Sequence, residues 1–249
     1  MESVFSSTPI KVLSLNTQNA NTDVWEYTKN NNIAKCITAS GADIIALQEC
    51  TANGVVANIK NKMTNKNSFE VIEYNGIGPA LIYNKDKFTC EASGYWTLGL
   101  KGENSSNYDR HAVYAKLKRV EDGAVILAVA THYDYNSTAA NAQTETLLSL
   151  INENFGGIRS IIMGDFNVMR PNGVFTKHEK AGYIDAQSIA ETKVNEDAYT
   201  FKDSDDGTEK VLDFIYLKGF KVTVHEVKTD LDGKSVSDHR PVYAEIVIK

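Results

Sequence analysis

Proline and cysteine are both scarce in this 249-residue chain, at four and three residues. With so few prolines and no serine-rich tract, nothing in the sequence marks a linker, so one domain over 1–249 is expected. The cysteines, Cys36, Cys50 and Cys90, are odd in number and match no C-x-x-C spacing. That argues against a disulfide framework or a zinc ribbon and leaves free core thiols. No apolar run approaches the roughly 18 residues that a membrane-spanning helix requires. An excess of positive charge is also missing: the net charge is −6, so the chain as a whole does not attract nucleic acid or an anionic membrane. A locally basic cleft remains compatible with that balance. The opening MESVFSSTPI has no leader-like apolar stretch, and the compartment, cytoplasmic or secreted after loss of a leader, stays open.

What is present is a large reserve of apolar residues, 42% hydrophobic against 23% charged, enough to bury a sizeable core. Short β-branched runs recur: IKVLSLN, ADIIALQE, PALIYN, HAVYAKLK, AVILAVATH, SIIMGDFN, KVLDFIYL, KVTVHEV and RPVYAEIVI. They read as strands. Helical spacing appears over Trp25 to Ser40 and Thr138 to Phe155, and more weakly over Gly54 to Thr64. Some strands are continuously apolar and others alternate. This mixture predicts two sheets packed face to face with helices outside them, a four-layer α/β/β/α sandwich.

Strand after strand ends in a residue capable of chemistry. IKVLSLN ends at Asn16, ADIIALQE at Glu49, AVILAVATH at His132, and SIIMGD at Asp165 with Asn167 just beyond. Asp213 lies within VLDFIYL, and Asp238-His239 precedes the last strand. Loops at one edge of a sandwich can gather such groups into one cleft. Taken singly, each has a plain structural reading: Glu49 as a strand-end carboxylate, Asn16 as a turn residue, SDHRP as a polar turn closed by Pro241. Together, carboxylates, carboxamides and imidazoles suit a hard divalent cation and an anionic substrate.

The ordered set LSLN, IIALQE, ATHYD, MGDFN, LDFIY and SDHRP, covering about Ile10 to Ile248, resembles the signature motifs of the endonuclease/exonuclease/phosphatase superfamily. That superfamily includes deoxyribonuclease I, exonuclease III, neutral sphingomyelinases and inositol polyphosphate 5-phosphatases. The stretch ASGYWTLGLKGENSSNYDR is closest in pattern to an uncharacterised bacterial-type subgroup. The resemblance implies a deoxyribonuclease I-like sandwich and a Mg²⁺-dependent attack of water on a phosphoester, with Mn²⁺ as a substitute. It implies Glu49 as the principal metal ligand, with Asn16 as a ligand or hydrogen-bonding neighbour. Asp165 would position water, Asn167 would hold phosphate, and Asp238 would fix the tautomer of His239. His239 would contact phosphate or share the base role with Asp165, a choice that the sequence leaves open. His132, present in deoxyribonuclease I-like and sphingomyelinase-like members and lacking in exonuclease III-like ones, would stabilise the transition state or protonate the leaving oxygen, supported by Asp213. Asp134 would be a structural neighbour. Arg110 would grip phosphate, against a surface ion pair with Asp109 as the bland alternative.

Other features weigh on the substrate. Many relatives carry an arginine where NAQTETLL has Asn141, so one basic contact is missing. KDSDDGTEK lacks EF-hand register and reads as a hairpin turn. Tyr95 and Trp96 are candidates for the cleft or, more in keeping with their type, for the core. His111, His178 and His225 fit no motif and read as surface or strand residues. Asn104 and Asn136 meet the glycosylation pattern, which is frequent by chance. The expectation is a monomeric metal-dependent phosphoesterase acting on a small phosphoester or phosphorylated headgroup. The alternatives are a deoxyribonuclease-like endonuclease, a sphingomyelinase-like phospholipid hydrolase lacking an evident apolar hairpin, and a silent binding protein on the same fold.

Overall fold

Two hydrogen-bonded sheets stack face to face. A computed structural model describes residues 6–19, 27–229 and 236–249. One sheet contains β1 (Ile10–Asn16), β2 (Ile44–Gln48), β3 (Phe69–Ile72), β4 (Ala80–Asn84), β10 (Thr192–Val194), β14 (Phe220–Val227) and β15 (Val242–Ile248). Its spatial order is β10-β14-β15-β1-β2-β4-β3. The other contains β5 (Phe88–Gly99), β6 (Arg110–Arg119), β7 (Val125–His132), β8 (Arg159–Asp165), β9 (Ile184–Asp185) and β13 (Asp213–Lys218), in the order β5-β6-β7-β8-β13-β9. A separate hairpin, β11 (Phe201–Lys202) with β12 (Glu209–Lys210), carries the acidic stretch at its turn, as the sequence predicts.

Alternation along the strands explains the layers. Val12, Ile44, Ile126 and Ile161 point into the core between the sheets. Their successors Leu13 and Ile45 face α1 (Tyr27–Ser40) and α2 (Val55–Lys62), among Ile33, Ile37, Val56 and Ile59. Leu127 and Ile162 face α3 (Ser137–Phe155) and α4 (Gly173–Lys180), among Leu147, Ile151 and Val174. Central strands are therefore buried on both faces, which is why they read as unbroken apolar runs. At about 1.5–3 kcal/mol for each fully buried large aliphatic side chain, the three clusters are the main source of stability. The four-layer α/β/β/α sandwich expected from the sequence is the observed fold.

The predicted helices lie where expected within a few residues, although Trp25 falls outside the described residues. Asn136 caps α3, its Oδ1 accepting from Thr138 N at 3.0 Å. β5 and α4 are among the elements that escape the sequence reading. β5 is an edge strand with bulges between Cys90 and Ala92 and between Thr97 and Gly99; of its ends and middle only Phe88 and Leu98 are buried, so it shows little core pattern. α4 is only eight residues long, too short for periodicity to stand out. Cys36 and Cys50 are buried free thiols and Cys90 is half-buried. No helix among the described residues is long and apolar enough to cross a membrane.

Candidate active site

Strand register brings the reactive groups to one edge. β7 and β8 pair in parallel with His132 opposite Asp165, while β13 runs antiparallel on the other side of β8 with Asp213 opposite Asp165. Three adjacent strands therefore present His132, Asp165 and Asp213 in a row. Gly164 makes the approach possible: a Cβ there would lie 2.0 Å from Thr131 O on β7. From the facing sheet, β1 and β2 pair in parallel with Asn16 opposite Gln48, which sets Glu49 one residue beyond the strand end. His239 enters just ahead of β15, bridged to Phe201.

The contacts form a continuous polar network. Asn16 Nδ2 donates to Glu49 Oε1 at 2.9 Å and to Asp165 Oδ2 at 3.0 Å, so one carboxamide ties two carboxylates together. Asn16 Oδ1 accepts from Gln18 N, and Glu49 Oε2 accepts from Asn19 N at 2.9 Å. Asp165 Oδ1 accepts from Asn167 N at 2.8 Å. Asn167 Nδ2 donates to Tyr133 O at 2.9 Å and to His132 Nε2 at 2.8 Å, which makes that ring nitrogen an acceptor and the imidazole neutral. Two strand exits are left-handed at residues that are not glycine, Glu49 (φ 61°) and Asn167 (φ 53°). Such conformations cost about 1–3 kcal/mol each and persist where the surroundings impose them.

Asp213, not Asp238, is the carboxylate on His239. Its Oδ2 accepts from His239 Nδ1 at 2.8 Å, leaving Nε2 facing Asp165 Oδ2 across 3.7 Å. Asp238 accepts instead from its neighbour Ser237 Oγ at 3.2 Å and reaches His239 only through its charge. The expected pairing of Asp213 with His132 and of Asp238 with His239 is thereby corrected. Register explains the outcome, since β13 delivers Asp213 to Asp165 and thus to His239.

Electrostatics follow from these neighbours. Burial is the strongest influence on His239 and favours the neutral ring, but Asp213, Asp165 and Asp238 together outweigh it and hold its pKa above the ordinary histidine value. Burial pushes Asp165 up, reinforced by Asp213 and opposed by His239, for a net rise. His132 is held well below its usual value by burial, with Arg110 and His239 adding to the effect.

Arg110 does not pair with Asp109, whose Oδ1 accepts from Lys101 N. It lies largely buried with Nε 3.7 Å from Asp134 Oδ2, and the carboxylates of Asp134, Asp165 and Glu49 oppose the effect of burial on its guanidinium. With Glu49, His132 and Asn167 it lines a cleft of about 430 Å³. A second groove of about 790 Å³ opens beyond His239, lined among others by Tyr199, Lys202, Asp238 and Arg240.

Other sequence expectations resolve as follows. Trp96 is partly buried and packs against the core, stacked on Tyr114 at 4.3 Å, whereas Tyr95 is half exposed beside Tyr74 and His111. His178 is neither a surface nor a strand residue: it is completely buried on α4. Asn141 is turned away from the cleft, bonding Asn172 and Lys177. Tyr108 and Tyr135, which line the cleft, were not singled out from the sequence. The available signal was their position, two residues before Arg110 and three after His132.

Oxygen donors dominate the described part of this edge, and the Cys50 thiol that follows Glu49 in sequence is buried, its Sγ 3.4 Å from Thr17 Oγ1. Glu49 and Asp165, tied by Asn16, fit a hard divalent cation that prefers oxygen and keeps waters in its shell. Asp165, Asp213 and His239 also place ligand atoms within 4.8 Å of one another. Their space is closed by the His239–Asp213 hydrogen bond, which makes the Glu49 side the better seat.

A two-sheet sandwich with one acidic and histidine-rich edge, facing a cleft that holds a buried arginine, defines a class of phosphate-handling proteins. The chain belongs to the endonuclease/exonuclease/phosphatase family, whose model matches residues 13–239. Members of this family hydrolyse phosphoesters. Among solved structures, it is similar to the endonuclease/exonuclease/phosphatase from Bacteroides vulgatus, at 22% identity and TM-score 0.82, over 97% of this chain and 100% of that one. It is similar to the mannosyl-6-phosphatase of Bacteroides thetaiotaomicron, at 20% identity and TM-score 0.78, over 96% and 100%. The human nocturnin catalytic domain, with a bound sulfate anion, aligns at 19% identity and TM-score 0.70, over 97% and 95%. No curated protein sequence matches the chain.

Proposed function

We propose that the protein is a divalent-metal-dependent phosphoesterase that hydrolyses a small phosphoester by direct attack of water, Mg²⁺ being the expected ion and the chain acting as one domain. The observation that carries this reading is the unbroken network from Asp213 through His239, Asp165 and Asn16 to Glu49. Such a network holds a water-handling carboxylate, a cationic imidazole and a metal-facing carboxylate within one site. Glu49 is the principal ligand and Asn16 orients it. A cation held there would neutralise phosphate charge and polarise its oxygens.

The chain's own groups supply the rest. Asp165 receives the proton of the attacking water, its Oδ1 fixed by Asn167 N and its Oδ2 by Asn16. His239, carrying a proton between two carboxylates, presents Nε2–H toward the phosphate side. Asp213 fixes the orientation of that ring by accepting from Nδ1–H. Arg110 grips a non-reacting phosphate oxygen from the cleft wall, and Asn167 donates to another by exchanging its bond to His132 for one to phosphate. His132 rests neutral, and the arrival of a phosphate dianion beside it raises its proton affinity, so that it can take a proton from solvent and pass it to the leaving oxygen. Acidic net charge and the cleft's size favour a small phosphorylated headgroup, in keeping with the mannosyl-6-phosphatase likeness.

A nuclease is the second reading. It is favoured by the groove beyond His239, where the Arg240 guanidinium lies 3.6 Å from the Tyr199 ring centroid and Lys202 Nζ lies 5.6 Å from it. The test is Mg²⁺-dependent turnover of sugar phosphates, glycerol phosphate, a phosphodiester and plasmid DNA by wild type, Asp165→Ala and His239→Ala. Loss of about 10²–10⁴ in kcat in both variants is expected. A folded wild type inert on every phosphoester, with no Mg²⁺ binding, would sink the reading, and preferential nicking of plasmid would select the nuclease.

A further inference from the structure

The cleft that holds Arg110 also carries an aromatic wall. Tyr108 and Tyr135 both line it, their ring centroids 6.2 Å apart at an interplanar angle of 67°. They are 55% and 58% exposed, more than any other aromatic residue among those described. Flexible loops do not account for that exposure, because one completely buried carboxylate fixes both backbones. Asp134 accepts from Asn107 N at 2.9 Å, Asn107 Nδ2 at 2.8 Å, Tyr108 N and Ser106 Oγ at 3.3 Å, and Asn136 N at 2.9 Å. The same carboxylate pairs with Arg110. Gln143 locks it from behind, accepting from Asp134 N at 2.8 Å and donating to Ser106 Oγ at 3.0 Å. Two rings and a phosphate-gripping guanidinium thus hang on a single anchor. Rigid, preorganised aromatic rings bind with little loss of side-chain entropy, and exposed ones so arranged are built for contact.

The rest of the lining narrows the class of partner. Gly76, Gly78, Pro79 and Thr51 also line the cleft and bring no ring, so that its rings are the two tyrosines and the imidazoles of His111 and His132. The two tyrosine rings, steeply inclined to each other, offer one wall for a ligand ring to lie against. The exposed Asp109 carboxylate borders the cleft and would repel a second phosphate while accepting from hydroxyl groups. A pyranose has both required surfaces, a face of polarised C–H bonds for the electron-rich tyrosine rings and a rim of hydroxyl donors. About 430 Å³ lies within the range of small-ligand sites and takes a hexose with its phosphate.

We propose that Tyr108 and Tyr135 form the recognition wall for a sugar ring, making the substrate a monosaccharide phosphomonoester whose phosphate is held by Arg110. This rests on the phosphoesterase reading above. The decisive experiment measures Mg²⁺-supported kcat/KM for a hexose 6-phosphate, glycerol 3-phosphate and a nucleoside 5′-monophosphate. The hexose phosphate is supplied both free and as its methyl glycoside, so that a free metabolite and a glycan terminus are told apart. Wild type should prefer the hexose phosphate over the ringless glycerol phosphate by about tenfold, equivalent to one good aromatic contact. Tyr108→Ala and Tyr135→Ala should each shrink that ratio toward about twofold, mainly through KM, and Tyr→Phe at either position should restore most of it. Circular dichroism verifies folding. A ratio that survives both alanine variants, or a wild-type preference for the nucleotide that depends on the same tyrosines, would overturn the proposal. Turnover of glycerol phosphate without sugar preference, or of a phosphodiester alone, sinks the wall alone; a folded protein inert on every phosphoester and without Mg²⁺ binding sinks the phosphoesterase reading beneath it.

Discussion

His178 and His239 are both buried imidazoles, and their surroundings drive them in opposite directions. His178 sits in the helical layer among Phe166, Tyr216 and Tyr183, its Nδ1 2.8 Å from Val174 O and its Nε2 3.3 Å from Tyr133 Oη. Burial pushes it down to about 4. His239 meets three carboxylates at the strand edge, and they overcome a comparable burial to push it up. Burial alone therefore does not make a histidine reactive; charged partners supplied by strand register do. One ring fills space and the other holds a proton.

The largest expected effect comes from erasing the difference. Asp213→Asn removes the charge at His239 Nδ1 and should lower the His239 titration midpoint, seen by NMR, toward the His178 side. The same change should cost kcat about 100-fold or more if the network is catalytic. An unshifted His239 resonance would mean that Asp165 alone sustains the proton.

Next in size is the acid stability linked to His178. Its folded-state pKa, about 4, lies below the unfolded value, so the unfolded chain binds the proton first as pH falls. The stability from keeping it neutral is complete above about pH 6.5 and declines through pH 4, by up to about 3 kcal/mol. His225, also pushed to about 4 by burial with Lys193 assisting, adds a parallel loss. His178→Gln keeps a polar group for Tyr133 and Val174 and should flatten the pH dependence of urea unfolding by close to one proton. Equal slopes in variant and wild type would show that His178 is protonated in the folded state.

The smallest effect sharpens the contrast within the site. Asp238→Asn removes a carboxylate that does not bond His239 and should change kcat by about threefold or less. A loss equal to that of Asp213→Asn would restore Asp238 as the orienting group.

Much of this arrangement was legible in the sequence because function lies at strand ends. LSLN, IIALQE, ATH and MGD each show a strand giving way to a polar residue, and the structure brings Asn16, Glu49, His132 and Asp165 together. The partner of His239 was not legible. Asp238 is adjacent in sequence, whereas Asp213 arrives through antiparallel pairing of β13 with β8, a long-range register that no local pattern encodes. The tyrosine wall was hidden for a related reason: loop residues carry no periodicity, and only the Asp134 anchor unites them. His178 was misplaced because α4 is short and its few apolar positions resemble a loop.

Glu49 bears on how the molecule responds to selection for heat resistance. A residue with a Cβ is held there at φ 61°, a backbone state that glycine adopts freely. Glycine at position 49 would relax that turn by about 1 kcal/mol while deleting the cleft's foremost carboxylate. Libraries screened for survival at high temperature alone will therefore be drawn toward losing this side chain, and hardiness and chemistry will pull position 49 in opposite directions.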